Sequence, residues 1–230
     1  MELHEDDYWA KLVRRDDGTV SAWHSVNDHC LDVAAVLYAL LEQDVVRARL
    51  ARSAGQVQMS MQQVARLVVL AALHDIGKFN HWFQARRSLR PEMRAGHEQE
   101  ALALISHHSQ AGSDFRQLLV DFGISDWAPR ETIFQLLVST FCHHGRPRSW
   151  KERTRIPIEQ LWGDNESRRP IEAVRVLLED LREAMPEAFE PAPNDPLPCP
   201  MEFQHLYTGL LTLSDWIASD TRFFPMENAA

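Results

Sequence analysis

Residues 60–78 read SMQQVARLVVLAALHDIGK, and this stretch decides the fold. Its apolar side chains follow helical spacing and occupy nearly every face, a pattern that indicates a helix buried at the centre of a domain. Ser60 is a residue type that caps a helix, and Gly77 is one that ends a helix or turns the chain. The sequence therefore predicts a buried helix that runs to His74-Asp75 and places two ionisable side chains at its end.

Helical periodicity recurs on both sides of this stretch. The further predicted helices cover about residues 27–43, 96–108, 113–122, 130–142, 171–186 and 201–219. Strand patterns are scarce, apart from one candidate hairpin around residues 16–18. Five prolines within residues 190–200 predict an extended connector, because proline cannot continue a helix. We expect one all-α domain over residues 1–230, with residues 190–200 as an internal connector and one small β-hairpin at most.

The composition excludes several classes of protein. With 45% hydrophobic and 25% charged residues in a chain of 230, there is enough apolar material for a folded core, so disorder is excluded as the main state. Three cysteines are too few, and odd in number, for a disulfide scaffold. The longest apolar run, Leu67–Leu73, is far shorter than the roughly 20 residues that a bilayer requires, and the N-terminus does not resemble a signal peptide. We expect a cytoplasmic protein without a membrane partner.

The 11 histidines raise the question of a metal site. His74-Asp75 closes a strongly apolar helix, where ionisable groups are costly unless they are paired or bound to metal. The residues themselves leave two interpretations open: a hydrogen-bonded core histidine beside a capping aspartate, and a metal centre. Other candidate ligands stand at predicted helix ends or on apolar faces, namely His29, His97, His143, His144 and Asp215. Each has an ordinary structural explanation alone, but together they supply enough imidazoles and carboxylates for two metal ions.

The order and context of these residues resemble the HD nuclease domain of the CRISPR-associated type I helicase-nuclease. The resemblance spans residues 22–225, nearly the whole chain. It is carried by His29, His74-Asp75, Gly77-Lys78, Gly96-His97-Glu98, His143-His144-Gly145 and the stretch SDWIAS from Ser214 to Ser219. The HD signature alone is moderately specific, whereas the HHG motif and the stretch that continues to Pro225 are much more specific to this branch.

The resemblance implies an HD-domain helical bundle that holds a dinuclear metal site. The ligands implied for one ion are His29, His74, Asp75 and Asp215. The ligands implied for the other are Asp75, His97, His143 and His144, with Asp75 as the bridge. His24 competes with His29 for the first position, and His29 is preferred because the family pattern His-x-x-Asp-x-Ala is reproduced from His29 to Ala34. Lys78 corresponds to a lysine near the scissile phosphate, so His74, Asp75 and Lys78 are the candidate catalytic residues.

The same resemblance implies an activity and its partners. The family cleaves single-stranded DNA and is fed by a helicase motor, through which it serves the CRISPR RNA-guided surveillance complex in antiviral defence. Two metal ions about 3.5–4 Å apart can activate water and stabilise the charge that develops on the leaving oxygen. Mixed imidazole and carboxylate ligands favour Mn, Fe, Co, Ni or Zn over Mg. Two other functions stay open: an HD-type phosphohydrolase of small nucleotides, and a non-catalytic helical module that docks a partner.

The net charge of −9 is an objection to a nucleic-acid partner, because such proteins usually carry an excess of Lys and Arg. The acidic excess is local, however: residues 159–202 hold 11 acidic and 4 basic side chains, whereas residues 146–155 hold five cations against one glutamate. Trp150 lies within this basic stretch, and cations interleaved with aromatic rings are typical of single-strand grooves. Arg146, Arg148 and Lys151 are therefore the candidate substrate-binding residues. We expect the domain alone to bind DNA weakly.

Overall fold

The structure, a computed structural model, describes residues 4, 6–88, 95–145 and 156–228. The longer helices are α1 (Val26–Glu42), α2 (Asp44–Ser53), α3 (Met61–Ala72), α5 (Glu98–Ser106), α6 (Gln110–Asp121), α7 (Arg130–Phe141), α9 (Pro170–Ala184) and α11 (Met201–Ala218). The short helices are α4 (His81–Gln84), α8 (Ile158–Trp162) and α10 (Pro186–Phe189), and 3₁₀ turns cover Leu73–Phe79, Ala85–Arg87 and Ile124–Asp126. No helix in the described part of the chain is both long enough and apolar enough to cross a membrane.

A small antiparallel sheet stands beside the helices. Strands β1 (Trp9–Arg14) and β2 (Val20–Ser25) form a hairpin, and β3 (Glu227–Asn228) pairs briefly with β2. Gly18 takes a positive φ of 84° in the turn, a conformation that favours glycine. The helical prediction and the candidate hairpin are both confirmed.

Helix α3 lies at the centre of the hydrophobic core, as its apolar faces predict. It packs against α1, α7 and α10, and its residues from Gln63 to Ala72 are all buried. Ser60 caps it: the Ser60 hydroxyl accepts from the Gln63 N–H while the Gln63 side chain accepts from the Ser60 N–H. This reciprocal capping fixes where the helix begins, and therefore also the position of its C-terminal end, which leads into His74 and Asp75.

The prediction that this helix runs to His74-Asp75 was wrong by its last two or three residues. The α-helix ends at Ala72, and the chain continues as the tighter 3₁₀ segment Leu73–Phe79. Asp75 leaves helical geometry with φ −111° and ψ 15°. The tighter winding changes the angles at which successive side chains leave the backbone, so His74, Asp75 and Lys78 reach one centre together.

The proline-rich connector is held against α3 by a buried arginine. Arg66 is 2% exposed, and its guanidinium donates to the carbonyl oxygens of Ala188, Glu190 and Asp195 at 2.9–3.2 Å. It also lies 5.5 Å from the ring centre of Trp127. A planar fork of donors suits three carbonyls that no helix or sheet satisfies.

We expect Arg66→Met to destabilise the protein by about 2–4 kcal/mol, because three carbonyl oxygens lose the guanidinium as donor while the apolar stem stays in place; Gln62 still donates to the Glu190 carbonyl. Urea unfolding would measure the free energy of unfolding. The matched control is Arg49→Met on the exposed face of α2, which should change that free energy by less than about 0.5 kcal/mol. Equal stability of the two variants would contradict the assigned role.

Candidate metal centre

Five parts of the chain converge on one polar cluster in the core. His29 comes from the first turn of α1 and Asp215 from the last turns of α11. His97 precedes α5, and His143 and His144 follow α7. The 3₁₀ segment Leu73–Phe79 supplies the remaining members, His74, Asp75 and Lys78.

The first ligand group combines two imidazoles with two carboxylates. It consists of His29, His74, Asp75 and Asp215, all buried, with one ligand atom from each lying within 4.8 Å of the others. His29 Nε2 lies 3.2 Å from both Asp75 Oδ2 and Asp215 Oδ1. His74 Nε2 lies 3.4 Å from Asp75 Oδ2 and 3.8 Å from Asp215 Oδ1. This spacing leaves one position that all four side chains face.

The second ligand group contains three imidazoles. It consists of His97, His143 and His144, whose ligand atoms also lie within 4.8 Å of one another. Asp75 faces this group with its other oxygen: Oδ1 lies 3.3 Å from His97 Nε2 and 4.0 Å from His143 Nε2. The two oxygens of one carboxylate thus point to two different groups, which is the arrangement that a bridging ligand requires.

Backbone carbonyls orient two of the imidazole rings. His74 Nδ1 lies 3.0 Å from the Ala71 carbonyl oxygen, and His143 Nδ1 lies 3.1 Å from that of Thr140. A carbonyl oxygen only accepts, so Nδ1 carries the proton and donates in each case. Nε2 is then left as the unprotonated atom that faces the cluster, the pattern of metal-binding histidines.

The residues fit divalent transition-metal ions. Within the described part of the chain, several buried atoms of the cluster make no hydrogen bond, namely His29 Nε2, His74 Nε2, Asp75 Oδ1, His97 Nε2 and His143 Nε2. Buried polar atoms are normally satisfied, and these orphaned ones are all ligand atoms that converge on one place. Imidazole nitrogen with carboxylate oxygen suits Mn, Fe, Co, Ni or Zn.

Burial keeps the imidazoles in the state that binds metal. Desolvation lowers the pKa of His97 to about 4, and desolvation with the neighbouring His74 lowers the pKa of His143 to about 3. Burial alone would raise the pKa of Asp75, but the Lys78 ammonium and the nearby imidazoles outweigh it and hold the pKa well below its usual range. At neutral pH the imidazoles of His97 and His143 are therefore neutral and the Asp75 carboxylate is ionised, as metal ligands must be.

We expect the metal-free protein to lose stability as the pH falls from about 7 to about 5. Burial depresses the pKa of His29, His97 and His143 in the folded state, whereas in the unfolded chain they titrate near 6.5. Below that pH the unfolded state binds more protons, so the stability that neutral imidazoles provide is lost progressively. Thermal unfolding after chelation, at pH 7 and at pH 5, measures the effect. A Tm that does not fall would contradict it, and the drop should shrink in a His97→Gln/His143→Gln variant.

Lys78 lies against the bridging carboxylate. Its Nζ is 2.5 Å from Asp75 Oδ2 and 5.9 Å from the ring centre of Phe83, and the side chain is largely buried. An ammonium in this position compensates the buried carboxylate and leaves further N–H donors at the centre.

The structure separates His29 from its competitor. His24 Nε2 lies 2.8 Å from Asp32 Oδ2 and belongs to neither ligand group. His107 and His108 lie at the far end of α5, outside both groups. The predicted substrate-binding residues Arg146, Arg148 and Lys151 lie outside the described residues.

Sequence reasoning missed two residues next to the centre. Ser219 Oγ donates to Asp215 Oδ1 at 3.2 Å, and Lys11 Nζ donates to Ser219 Oγ at 2.5 Å. Ser219 was quoted only as part of a motif, and Lys11 stands on a strand far from every motif. The Ser219–Asp215 contact spans only four positions at the end of α11, whereas no local pattern indicates the contact of Lys11, because 208 positions separate it from Ser219.

Comparison with known proteins finds curated relatives of this chain. The curated relatives include the CRISPR-associated endonuclease/helicase Cas3 of Thermus thermophilus, 28% identical over 88% of this chain and 22% of the relative. They also include the CRISPR-associated nuclease/helicase Cas3 of Streptococcus thermophilus, 25% identical over 98% of this chain and 26% of the relative. The chain thus spans about a quarter of the length of the curated relatives it matches.

Solved structures share the fold. The Thermus thermophilus Cas3 HD domain, crystallised in the presence of Ni²⁺, is 26% identical with a TM-score of 0.58, over 88% of this chain and 74% of that one. A chain of a CRISPR RNA-guided surveillance complex in a pre-nicking state is 22% identical with a TM-score of 0.55, over 97% of this chain and 26% of that one. The resemblance recognised from the motifs is confirmed. Since the sequence model of the Cas3 HD domain family matches residues 9–224, the chain belongs to that family.

Proposed function

We propose that this chain is a metal-dependent nuclease that hydrolyses phosphodiester bonds of single-stranded DNA in CRISPR interference. The observation that carries the proposal is the pair of ligand groups that share Asp75, whose Oδ2 faces His29 and His74 while its Oδ1 faces His97 and His143. The names of the relatives, which include nuclease and endonuclease, support the reaction class.

The residues of the chain divide the work between holding ions and handling phosphate. Two bound divalent ions would lower the pKa of water and neutralise charge on the phosphate. Asp75 would fix the spacing of the two sites, and the carbonyls of Ala71 and Thr140 keep His74 and His143 turned toward them. Lys78 can donate to a non-bridging phosphate oxygen as charge develops there.

The proposed partners are supported by the names of the relatives, and not by contacts within this chain. The matched relatives are described as helicases as well as nucleases, and one structural neighbour belongs to a surveillance complex. We infer that residues 1–230 form one domain that works in the cytoplasm with a helicase motor. Arg146, Arg148 and Lys151 remain our candidates for contact with the strand.

We expect the purified chain to degrade a single-stranded oligonucleotide with Mn²⁺, Co²⁺ or Ni²⁺, to do so poorly with Mg²⁺, and to stop when the ions are chelated. Small nucleotides serve as the comparison substrates, and bound metal is counted in the same preparations. Faster hydrolysis of small nucleotides than of oligonucleotides would favour the phosphohydrolase alternative. Absence of bound metal under all these conditions would favour the non-catalytic module.

A further inference from the structure

Lysine is scarce in this chain, and the positions where it occurs are informative. The 24 basic residues comprise 21 arginines and three lysines, Lys11, Lys78 and Lys151. Two of the three lysines lie next to the metal centre: Lys78 contacts the Asp75 carboxylate, and Lys11 reaches the centre through Ser219. Arginine carries charge almost everywhere else, so the centre is where the chain uses the compact ammonium.

The β-hairpin brings Lys11 to the centre, and one buried amide joins it to the segment of Lys78. The Gln84 side chain donates to the Lys78 carbonyl at 2.7 Å and to the Trp9 carbonyl at 3.0 Å. It also accepts from the Trp9 N–H at 3.1 Å. Gln84 is 1% exposed, so these bonds are shielded from water. The strand that carries Lys11 is thus fixed to the backbone of the other lysine.

The ammonium of Lys11 is positioned by one hydrogen bond and keeps other N–H donors available. Its Nζ donates to Ser219 Oγ at 2.5 Å, which in turn donates to Asp215 Oδ1. Among the described residues this is the only hydrogen bond that the structure gives the Lys11 ammonium, which has three donors. Burial and the nearby Lys78 ammonium lower the pKa of Lys11, while Asp215, Asp75 and Asp32 act in the opposite direction. Lys11 is therefore half-buried beside another cation, with donors to spare.

The charge of the occupied centre would be strongly positive. The ligand groups contain two carboxylates, Asp75 and Asp215, against the four positive charges of two divalent ions. Lys11 and Lys78 add two more cations at the same place. Such an excess is stabilised by an anionic ligand, and a phosphodiester backbone carries one charge on every linkage.

Building on the proposed function, we propose that Lys11 is a second phosphate-binding residue, which with Lys78 forms a two-lysine clamp on the nucleic-acid backbone. Lys78 would hold a phosphate on the Asp75 side of the centre, and Lys11 would hold one on the Asp215 side. The role of the β-hairpin is then to place a cation against the substrate.

The test measures binding and cleavage separately in Lys11→Met, Lys11→Arg and Ser219→Ala. Binding of a nuclease-resistant phosphorothioate single strand is followed by fluorescence anisotropy from 50 to 300 mM salt. Loss of one phosphate contact should reduce the slope of log affinity against log salt by about 0.7 in Lys11→Met. The slope should stay at the wild-type value in Lys11→Arg and in Ser219→Ala, which keep the charge.

Cleavage kinetics and metal content complete the test. Lys11→Met should raise KM about tenfold to hundredfold, the effect of one charged hydrogen bond, with two ions still bound. Wild-type slope and KM in Lys11→Met would overturn the clamp, and so would loss of an ion, since Lys11 would then act through Asp215. The salt dependence of binding is measured on a strand that is not cleaved. It therefore tests the two-lysine clamp even if the proposed nuclease function fails.

Discussion

Asp75→Asn is expected to remove cleavage almost completely and to reduce the bound metal from two ions to one or none. Asp75 faces both ligand groups at short range, with Oδ2 3.2 Å from His29 Nε2 and Oδ1 3.3 Å from His97 Nε2. An amide offers a single oxygen and no negative charge, so it cannot serve both groups. Loss of residues that only support a ligand costs about 10–100-fold, so loss of the bridge should lower the rate by more than about a hundredfold.

Metal analysis, single-strand cleavage and circular dichroism would be measured on the same preparation. Asp75→Asn leaves the Lys78 ammonium without its carboxylate, so the variant could unfold for reasons unrelated to metal. His97→Ala provides the second variant, because that side chain is 20% exposed and belongs to the second group. It should lose one ion and keep its fold. His108→Ala, an exposed histidine outside both groups, is the control and should keep two ions and full cleavage. Two ions and an undiminished rate in Asp75→Asn would refute the bridging role.

The composition of the centre was accessible from sequence, whereas its geometry was not. Seven candidate ligands were named from motifs, and the structure gathers all seven into two groups. Periodicity also located α1, α3, α7 and α11, which carry or orient most of them. Helices of that kind are specified locally, by the spacing of apolar residues along a few turns.

Other features depend on contacts between distant parts of the chain. The bond of Lys11 to Ser219 and the hydrogen bonds of Arg66 to the connector each join segments that are far apart in sequence. The 3₁₀ winding of Leu73–Phe79 is local, but it places side chains against ligand residues from other segments. Helix α2 was not predicted, because half of its ten residues are polar or charged and only Leu50 and Ala51 are buried. Such features are decided by tertiary packing, which a local pattern does not contain.

Gly77 was predicted to be needed as a helix end, but the structure gives a different reason for a glycine at this position. Its φ is not in the left-handed region, so the backbone conformation at this position does not require glycine. A Cβ at this position would lie 1.8 Å from the His97 carbonyl oxygen and 2.8 Å from His97 Cα. The backbone that carries a second-group ligand is thus seated directly on the glycine. Asn80 Nδ2 donates to both Gly77 O and Gly96 O, at 2.6 and 2.9 Å, which holds the two segments together.

Gly77→Ala is therefore expected to displace His97 and to empty the second group while the first keeps its ion. Methyl groups in real proteins do not approach a backbone atom this closely, so the loop before α5 must move, at a cost of about 1–3 kcal/mol. The first group, His29, His74 and Asp215 with one oxygen of Asp75, does not include that loop. Cleavage should fall as far as in His97→Ala, because both variants remove the same ligand.

The matched control is Gly209→Ala on the exposed face of α11, where an added Cβ meets nothing within 4 Å. That variant should be unchanged or about 0.5–1 kcal/mol more stable, since alanine is the better helix former. Metal stoichiometry, Tm and cleavage rate are compared across the two glycine variants and His97→Ala. Two bound ions and a wild-type rate in Gly77→Ala would show that the His97 backbone can shift without moving its imidazole. If contact with Gly77 sets the position of the His97 backbone, the added methyl group removes one ion, although residue 77 itself contributes no side chain to metal or substrate.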